Sequence, residues 1–190
     1  MKHSWLLVLM LLGIILMGAI PAGAASGAGP YYAIPSWDQT IDPSTRFVVL
    51  SNFNNQAVLD RETGLVWEQS PTQYIYNWYD AQNHCINLSL GNRFGWRLPS
   101  VHELLTLIDP SRVNNNNAPT YSSTLFTGNP FGSQGAFGIA YWTSTTDPTT
   151  STNAWLGCTG PSNPHAAFSD NKSYPYCVWC VRSGTGHNPQ

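Results

Sequence analysis

The residues most able to do chemistry in this chain are four cysteines, Cys85, Cys158, Cys177 and Cys180. Cys177-Val178-Trp179-Cys180 has the C-x-x-C spacing of a dithiol redox motif or of half a zinc site. A redox pair of that kind opens a helix after a strand, yet the flanking Val178, Trp179 and Val181 read as a strand themselves. A structural zinc needs further ligands, and no second C-x-x-C exists. In an exported chain an even cysteine set is read as disulfides, although spacing alone leaves the connectivity open. His84, His102 and His165 lack the H-x-x-x-H or H-E-x-x-H spacing of a metalloenzyme, and they read as solvated or hydrogen-bonded. No G-x-S-x-G elbow, phosphate loop or paired-carboxylate signature appears. The reading is non-catalytic, with no catalytic residue, metal or cofactor expected. Asp60 and Glu62 flank a turn, where capping and solvation account for them.

The stretch Gly95 to Asp109, GWRLPSVHELLTLID, explains how the chain positions its middle. Ser100-Val101-His102-Glu103 fits a capping box, in which the serine oxygen and the glutamate carboxylate each satisfy an amide at the helix start. Pro99 keeps the preceding backbone extended. Val101, Leu104, Leu105 and Ile108 fall on one helical face. Arg97, between Trp96 and Leu98, reads as an enclosed guanidinium that needs carbonyls or a carboxylate such as Glu68, Asp80 or Asp109. Trp96, Arg97, Ser100 and Glu103 are therefore assigned to the scaffold.

Other elements follow the same logic. Arg46–Ser51 is a β-rich run. Gln56–Asp60 and Leu65–Gln69 read as a hairpin around Arg61-Glu62-Thr63-Gly64, with Gly64 at positive φ. Asn77 caps a helix whose face carries Trp78, Ala81, Cys85 and Leu88, and Gly91 stands past its end as a left-handed residue. Tyr141–Thr145, Asn153–Gly157 and Val178–Arg182 read as strands. Between them lie two long polar loops, Ser111–Gly138 and Thr159–Tyr176. Loops this long in a compact domain tend to be functional.

Lys2, the apolar run Trp5–Ile20 and Ala22-Gly23-Ala24 make residues 1–24 a cleavable signal peptide. Residues 25–45 form a flexible leader, 46–183 the domain and 184–190 a tail. The exported chain has one Lys and six Arg and is mildly acidic. That balance argues against nucleic acid as partner, and no membrane span is expected once the signal is removed.

The segments VLDRETGLVWEQ (Val58–Gln69), the helix with Trp78, Asp80, Ala81 and Cys85, and GWRLPSVHEL (Gly95–Leu104) together resemble one family. YWTST (Tyr141–Thr145), AWLG (Ala154–Gly157) and CVR (Cys180–Arg182) extend the likeness over about residues 57–182. The family is that of the Lcl C-terminal domain, named for the end of the Legionella collagen-like adhesin. It looks related to the C-type-lectin-like fold. The resemblance implies an α+β domain with two short helices, small antiparallel sheets, long loops and two disulfides. By that likeness the bridges are Cys85–Cys180 and Cys158–Cys177, each contributing ~2–4 kcal/mol, and Trp155 is a core residue. The lectin calcium motifs are absent. Residues Ser162-Asn163-Pro164 and Phe168-Ser169-Asp170-Asn171 stand where carboxylate-rich runs would, and Asp170 alone is a poor calcium donor set.

These features point to a secreted or periplasmic module for recognition and adhesion. Its partner would be a surface glycan or a cell-surface protein, met through the aromatic, Asn-rich loops. The candidate contacts are Tyr121, His165, Asp170, Asn171, Tyr174 and Tyr176. An adhesin-like function also suggests sulfated glycosaminoglycans, which the acidic balance disfavours. The alternative is a structural subunit or cap of a surface assembly, with homo-oligomerisation left open.

Overall fold

The computed structural model describes residues 41–109, 125–126, 128–132, 139–160 and 167–183. The described chain is α+β. A four-stranded antiparallel sheet A runs in the order β1 (Phe47–Val49), β2 (Ala57–Asp60), β3 (Leu65–Glu68), β9 (Val181–Ser183). Sheet B has the order β4 (Ile75–Tyr76), β8 (Tyr176–Cys177), β5 (Ala140–Thr146), β6 (Asn153–Cys158), β7 (Ala167–Asn171). Sheet B is mixed, because β8 runs parallel to β5; the expectation of purely antiparallel sheets is corrected here. The helices are a single turn α1 (Pro43–Arg46), then α2 (Trp78–Asn87) and α3 (Val101–Leu105).

Each helix starts where the sequence places a cap. Asn77 accepts the Asp80 amide through its side chain at 3.0 Å. Ser100 Oγ accepts the Glu103 amide at 3.2 Å while Glu103 Oε2 accepts the Ser100 amide at 2.7 Å, which completes the capping box. The predicted inner face of α2 is also seen, with Ala81 and Cys85 fully buried. Gly64 turns the β2–β3 hairpin at φ +69°. Gly91 does take a positive φ, +56°, but it does not end α2, whose cap is Leu88. It lies in the tight Leu90–Arg93 turn, where a β-carbon would come within 2.5 Å of Phe53 Cα.

Two apolar cores lie on either side of the β3–β9 and β5–β8 regions. One gathers Phe53, Ala57, Val66, Cys85, Trp96, Trp142, Leu156 and Cys158. The other gathers Val58, Leu65, Trp67, Leu104, Tyr141 and Trp179. Trp142, not Trp155, fills the core on the β5–β6 hairpin. Trp155 is half-buried and pairs with Ser169 on the outer strand, so its assignment to the core is corrected. Gly157 faces α3, and a side chain there would strike Leu104.

One disulfide forms. Cys85 on α2 is joined to Cys180 just before β9. The second expected bridge is absent, and Cys158 and Cys177 remain thiols. The register explains why. Cys158 pairs with Ala140 and Cys177 with Tyr141, on opposite sides of β5. Two strands separated by a third lie about 10 Å apart, beyond the reach of a disulfide. Because neighbouring positions on β5 face opposite ways, the two thiols also sit in different cores. The lectin-like pairing would need a loop free of sheet B, and this one is woven into it.

The largest correction concerns charge. Asp60 is not solvated: Asp60 and Arg46 are 0% and 1% exposed and form a bidentate pair at 2.7 Å. Arg46 also donates to Thr106 O at 2.9 Å. Asp60 accepts the Glu62 amide and the Thr63 hydroxyl besides. Glu62 is buried too, and its Oε2 accepts the Ile41 amide at 2.9 Å. Removing one member of a buried pair leaves its partner uncompensated. Asp60→Ala is expected to lower unfolding stability by about 3–5 kcal/mol in urea titration, whereas Asp170→Ala, in the half-buried outer strand β7, should cost far less.

Candidate functional site

The candidate site is built at the crossing from β7, the outer strand of sheet B, to β8 on its other side. The chain makes that crossing in Lys172–Pro175. Asn171 shapes the turn: its Oδ1 accepts the Ser173 amide at 3.0 Å and the Ser173 hydroxyl at 2.8 Å, and its carbonyl accepts the Tyr174 amide at 2.9 Å. These are the short side-chain to backbone bonds for which Asn is favoured in turns.

Asp170 and Tyr176 meet across the turn. The Tyr176 hydroxyl donates to Asp170 Oδ2 at 2.6 Å, and the Asn171 amide donates to Oδ1 at 2.7 Å. Burial and then the carboxylate raise the Tyr176 hydroxyl to a pKa of about 12, so it stays a donor. Its ring packs edge-on to Trp142 and Phe168. Tyr174 is 54% exposed at the apex. Four of the six candidate residues are thus brought together, and Tyr121 and His165 lie outside the described residues. Asp170 and Tyr176 are spent mainly on one another. The surface left for a ligand is the Tyr174 ring with the Asn171 amide nitrogen, which makes no hydrogen bond among the described residues, and the remaining lone pairs of Asp170.

Lys172 is the residue that sequence reasoning missed. It is buried, and its Nζ donates to Thr146 Oγ1 at 3.0 Å and Ser151 O at 2.9 Å while lying 4.3 Å from the Trp78 ring centroid. Its carbonyl accepts the Trp78 amide at 2.9 Å and its amide donates to Thr152 O at 2.9 Å. The turn is therefore fastened to the start of α2 and to the β5–β6 hairpin through a single residue. Its being the one lysine after Lys2 was the available signal. Asp147 adds a second fastening: its Oδ2 accepts the Ser169 hydroxyl at 2.6 Å. Hydrogen bonds from Ser169 and Thr149 hold its carboxyl down at about 2.

The scaffold residues of GWRLPS resolve differently from expectation. Arg97 pairs with Glu103, at 2.6 and 2.8 Å, and not with Glu68, Asp80 or Asp109. Nor is it enclosed, since its side chain is 45% exposed. Glu103 therefore serves the helix cap and the guanidinium together, and the hydrogen bonds from Arg97 and Ser100 outweigh burial to keep its carboxyl below the usual range. Trp96 is buried and donates its indole N–H to Arg93 O at 2.9 Å. His84 Nε2 is buried without a hydrogen-bond partner, and desolvation lowers the imidazole pKa. Among the described residues no three His, Cys, Asp or Glu side chains gather closely enough to hold a metal ion.

A second titratable group sits under the opposite core. Glu68 on β3 is 7% exposed, and burial raises its carboxyl to about 7, against a weak opposing bond from the Cys180 amide at 3.4 Å. Its charge and the Cys177 thiol act on Tyr141, whose hydroxyl pKa is raised chiefly by burial. Burial likewise raises the Cys177 thiol, which makes it a poor nucleophile at neutral pH.

A family model described as the Lcl C-terminal domain matches residues 56–182. No curated protein matches the chain.

Two measurements follow from this geometry. A thiol titration of the oxidised protein should find two thiols once the chain is unfolded; in the native state half-exposed Cys177 should react well before buried Cys158. Zero thiols would mean that the second bridge exists. The Glu68 carboxyl is protonated in the folded chain up to about pH 7, while in the unfolded chain it ionises near 4.5. Its stabilising proton is fully present below 4.5 and lost as pH rises through 7. The loss reaches about 3 kcal/mol at most. Glu68→Gln should flatten that pH 4.5–7 slope in thermal melts.

Proposed function

Because the chain belongs to the Lcl C-terminal domain family, an adhesin-like group, we propose that it is an exported, non-catalytic recognition module that binds neutral surface glycans at the β7–β8 turn. The observation that carries the reading is the exposed Tyr174 ring in the turn that the Asp170–Tyr176 pair closes. An aromatic face takes the apolar side of a sugar ring, and the adjacent amide and carboxylate match its hydroxyls. The fixed turn keeps these groups in place before binding, which reduces the entropy that binding must overcome. One buried disulfide is compatible with an extracellular or periplasmic location, and residues 1–24 are read as the export signal.

The C-type-lectin-like fold belongs to the same proposal. Its support is a bridge from the principal helix to the chain just before the last strand, two sheets, and the burial of Ala154, Leu156 and Gly157 on β6. Calcium does not enter this reading, since Asp170 is already held by Tyr176 and the Asn171 amide.

The second reading, a subunit of a surface assembly, is favoured by one feature. Edge strand β4 carries Ile75, 59% exposed, next to Tyr74 at 78%. An uncovered strand edge with apolar side chains invites strand pairing.

A glycan array probed with the oxidised domain, with calcium and with chelator, separates the readings. Binding to a defined sugar class that survives chelation is expected, and Tyr174→Ala should weaken it about tenfold, the loss of one stacking contact. Silence across the array, together with concentration-dependent growth in size-exclusion chromatography, would favour the assembly reading instead.

A further inference from the structure

Tyr79 stands in the first turn of α2 and is 60% exposed. A single exposed aromatic is ordinary on a protein surface; what sets this one apart is its connection to the β7–β8 turn. Its ring meets the Trp78 ring edge-on, with centroids 5.3 Å apart, and the Lys172 ammonium lies 4.3 Å from the Trp78 ring centroid. Trp78 is fixed at both ends, its amide donating to Lys172 O at 2.9 Å and its indole to Thr143 O at 2.7 Å. Strand register puts the two tyrosines at the same end of one ladder. Tyr76 pairs with Tyr176, and beyond that pair β4 runs into α2 while β8 is reached from the Lys172–Pro175 turn.

The two tyrosines also keep the same polar company. Asp80 follows Tyr79, and its Oδ2 accepts from Asn77 Nδ2 at 2.6 Å, while its Oδ1 accepts no hydrogen bond among the described residues. At the turn, Asp170 accepts the Asn171 amide at 2.7 Å close to Tyr174. Neither the Tyr79 nor the Tyr174 hydroxyl makes a hydrogen bond among the described residues. Each cluster is thus an exposed aromatic face beside a carboxylate steadied by an asparagine. Capping of α2 accounts for Asn77, but it places no demand on Tyr79.

We propose that Tyr79 is a second sugar platform, and that the ligand is a neutral oligosaccharide of equatorially linked rings, such as the β-linked glucose chain of cellulose, spanning Tyr174 and Tyr79. The inference rests on the glycan reading above and deepens it from a single sugar to a chain. Rings with equatorial substituents present flat C–H faces, which tyrosine rings cover. Their hydroxyls lie at the rim, where the free tyrosine hydroxyls and the carboxylate oxygens meet them. Neutrality follows from charge. Asp80 and Asp170 stand at the two ends, while the buried Lys172 ammonium is taken up by Thr146 and Ser151, so an acidic sugar would be repelled at both. Because Trp78 and Lys172 hold the two platforms to one another, a chain already seated on one gains the other as an intramolecular contact.

The test is a titration of the oxidised protein with glucose, cellobiose, cellotetraose and cellohexaose, followed by NMR. Affinity is expected to rise about tenfold from glucose to the longer chains and then level off, the gain of one further stacking contact. Tyr79→Ala should bring cellotetraose down to the affinity of glucose, while Tyr79→Phe, which keeps the ring, should retain most of the gain. The backbone amide spectrum of each variant confirms its fold. Cellotetraose affinity unchanged in folded Tyr79→Ala, or equal affinity for every chain length, would overturn the second platform. If Tyr174→Ala still weakened binding in either case, the glycan reading would stand without it. Array binding to another sugar class, with no response to these oligomers, would likewise sink this inference alone, whereas silence on both the array and the titration would take the glycan reading with it.

Discussion

The described fold hangs on one buried ion pair. Arg46 and Asp60 tie the end of α1 to the last residue of β2, and Arg46 carries on to the carbonyl of Thr106 at the end of α3. Burying two charges is costly, and it is tolerable only when each lone pair and proton finds a partner. Here Asp60 accepts from Arg46, the Glu62 amide and the Thr63 hydroxyl, so the β2–β3 turn is organised by the same carboxylate. Arg46 also lies over Phe47 and Phe126. The strand, the turn and the α3 end cannot shift independently without stranding a charge. Sheet A is thereby fixed against α3, and α3 in turn packs on β6 through Leu104 and Gly157. That contact sets the sheet B hairpin from which the candidate site extends.

Local rules were the legible part of the sequence. Caps at Asn77 and Ser100, the Gly64 turn and the inner face of α2 each depend on residues within a few positions of one another, and each is found in place. The Cys85–Cys180 bridge came from family resemblance and also stands. Long-range pairing was not legible. Glu103 fits a capping pattern so well that its second role, holding Arg97, does not show in the sequence. Phe168-Ser169-Asp170-Asn171 has no alternation of apolar residues because β7 is half-buried along its whole length, so it read as loop. With β7 and β8 unseen, nothing in the sequence could place β5 between Cys158 and Cys177.

The candidate site shares this division. Asn171 and Asp170 stand out in the sequence as polar loop residues able to meet a ligand; in the structure both make hydrogen bonds within the turn itself. Their meeting with Tyr176 was not visible, because it depends on the chain crossing from one edge of sheet B into its middle. Lys172 makes that crossing possible: a buried ammonium joined to two oxygens and an indole face replaces the carboxylate that a sequence reader would look for. The candidate site is therefore a by-product of topology, with its polar residues held by the neighbouring strands.

The placement of β1 and β9 also has a mechanical consequence. They are the two edges of sheet A, and Phe47 pairs with Asp60 while Ser183 pairs with Leu65. Both strand ends therefore emerge beside the same hairpin turn. A tether pulling Phe47 and Ser183 apart would open each ladder from its end like a zipper, one hydrogen bond at a time, instead of shearing all of them at once. The two fronts meet different stops. On one side the fork opens directly at the Arg46–Asp60 pair. On the other, peeling reaches Cys180 after the three residues of β9, and there the covalent link to Cys85 transfers the load to α2. A module held under tension by its neighbours could thus lose its edge strands while the bridge shields sheet B and its turn from the load.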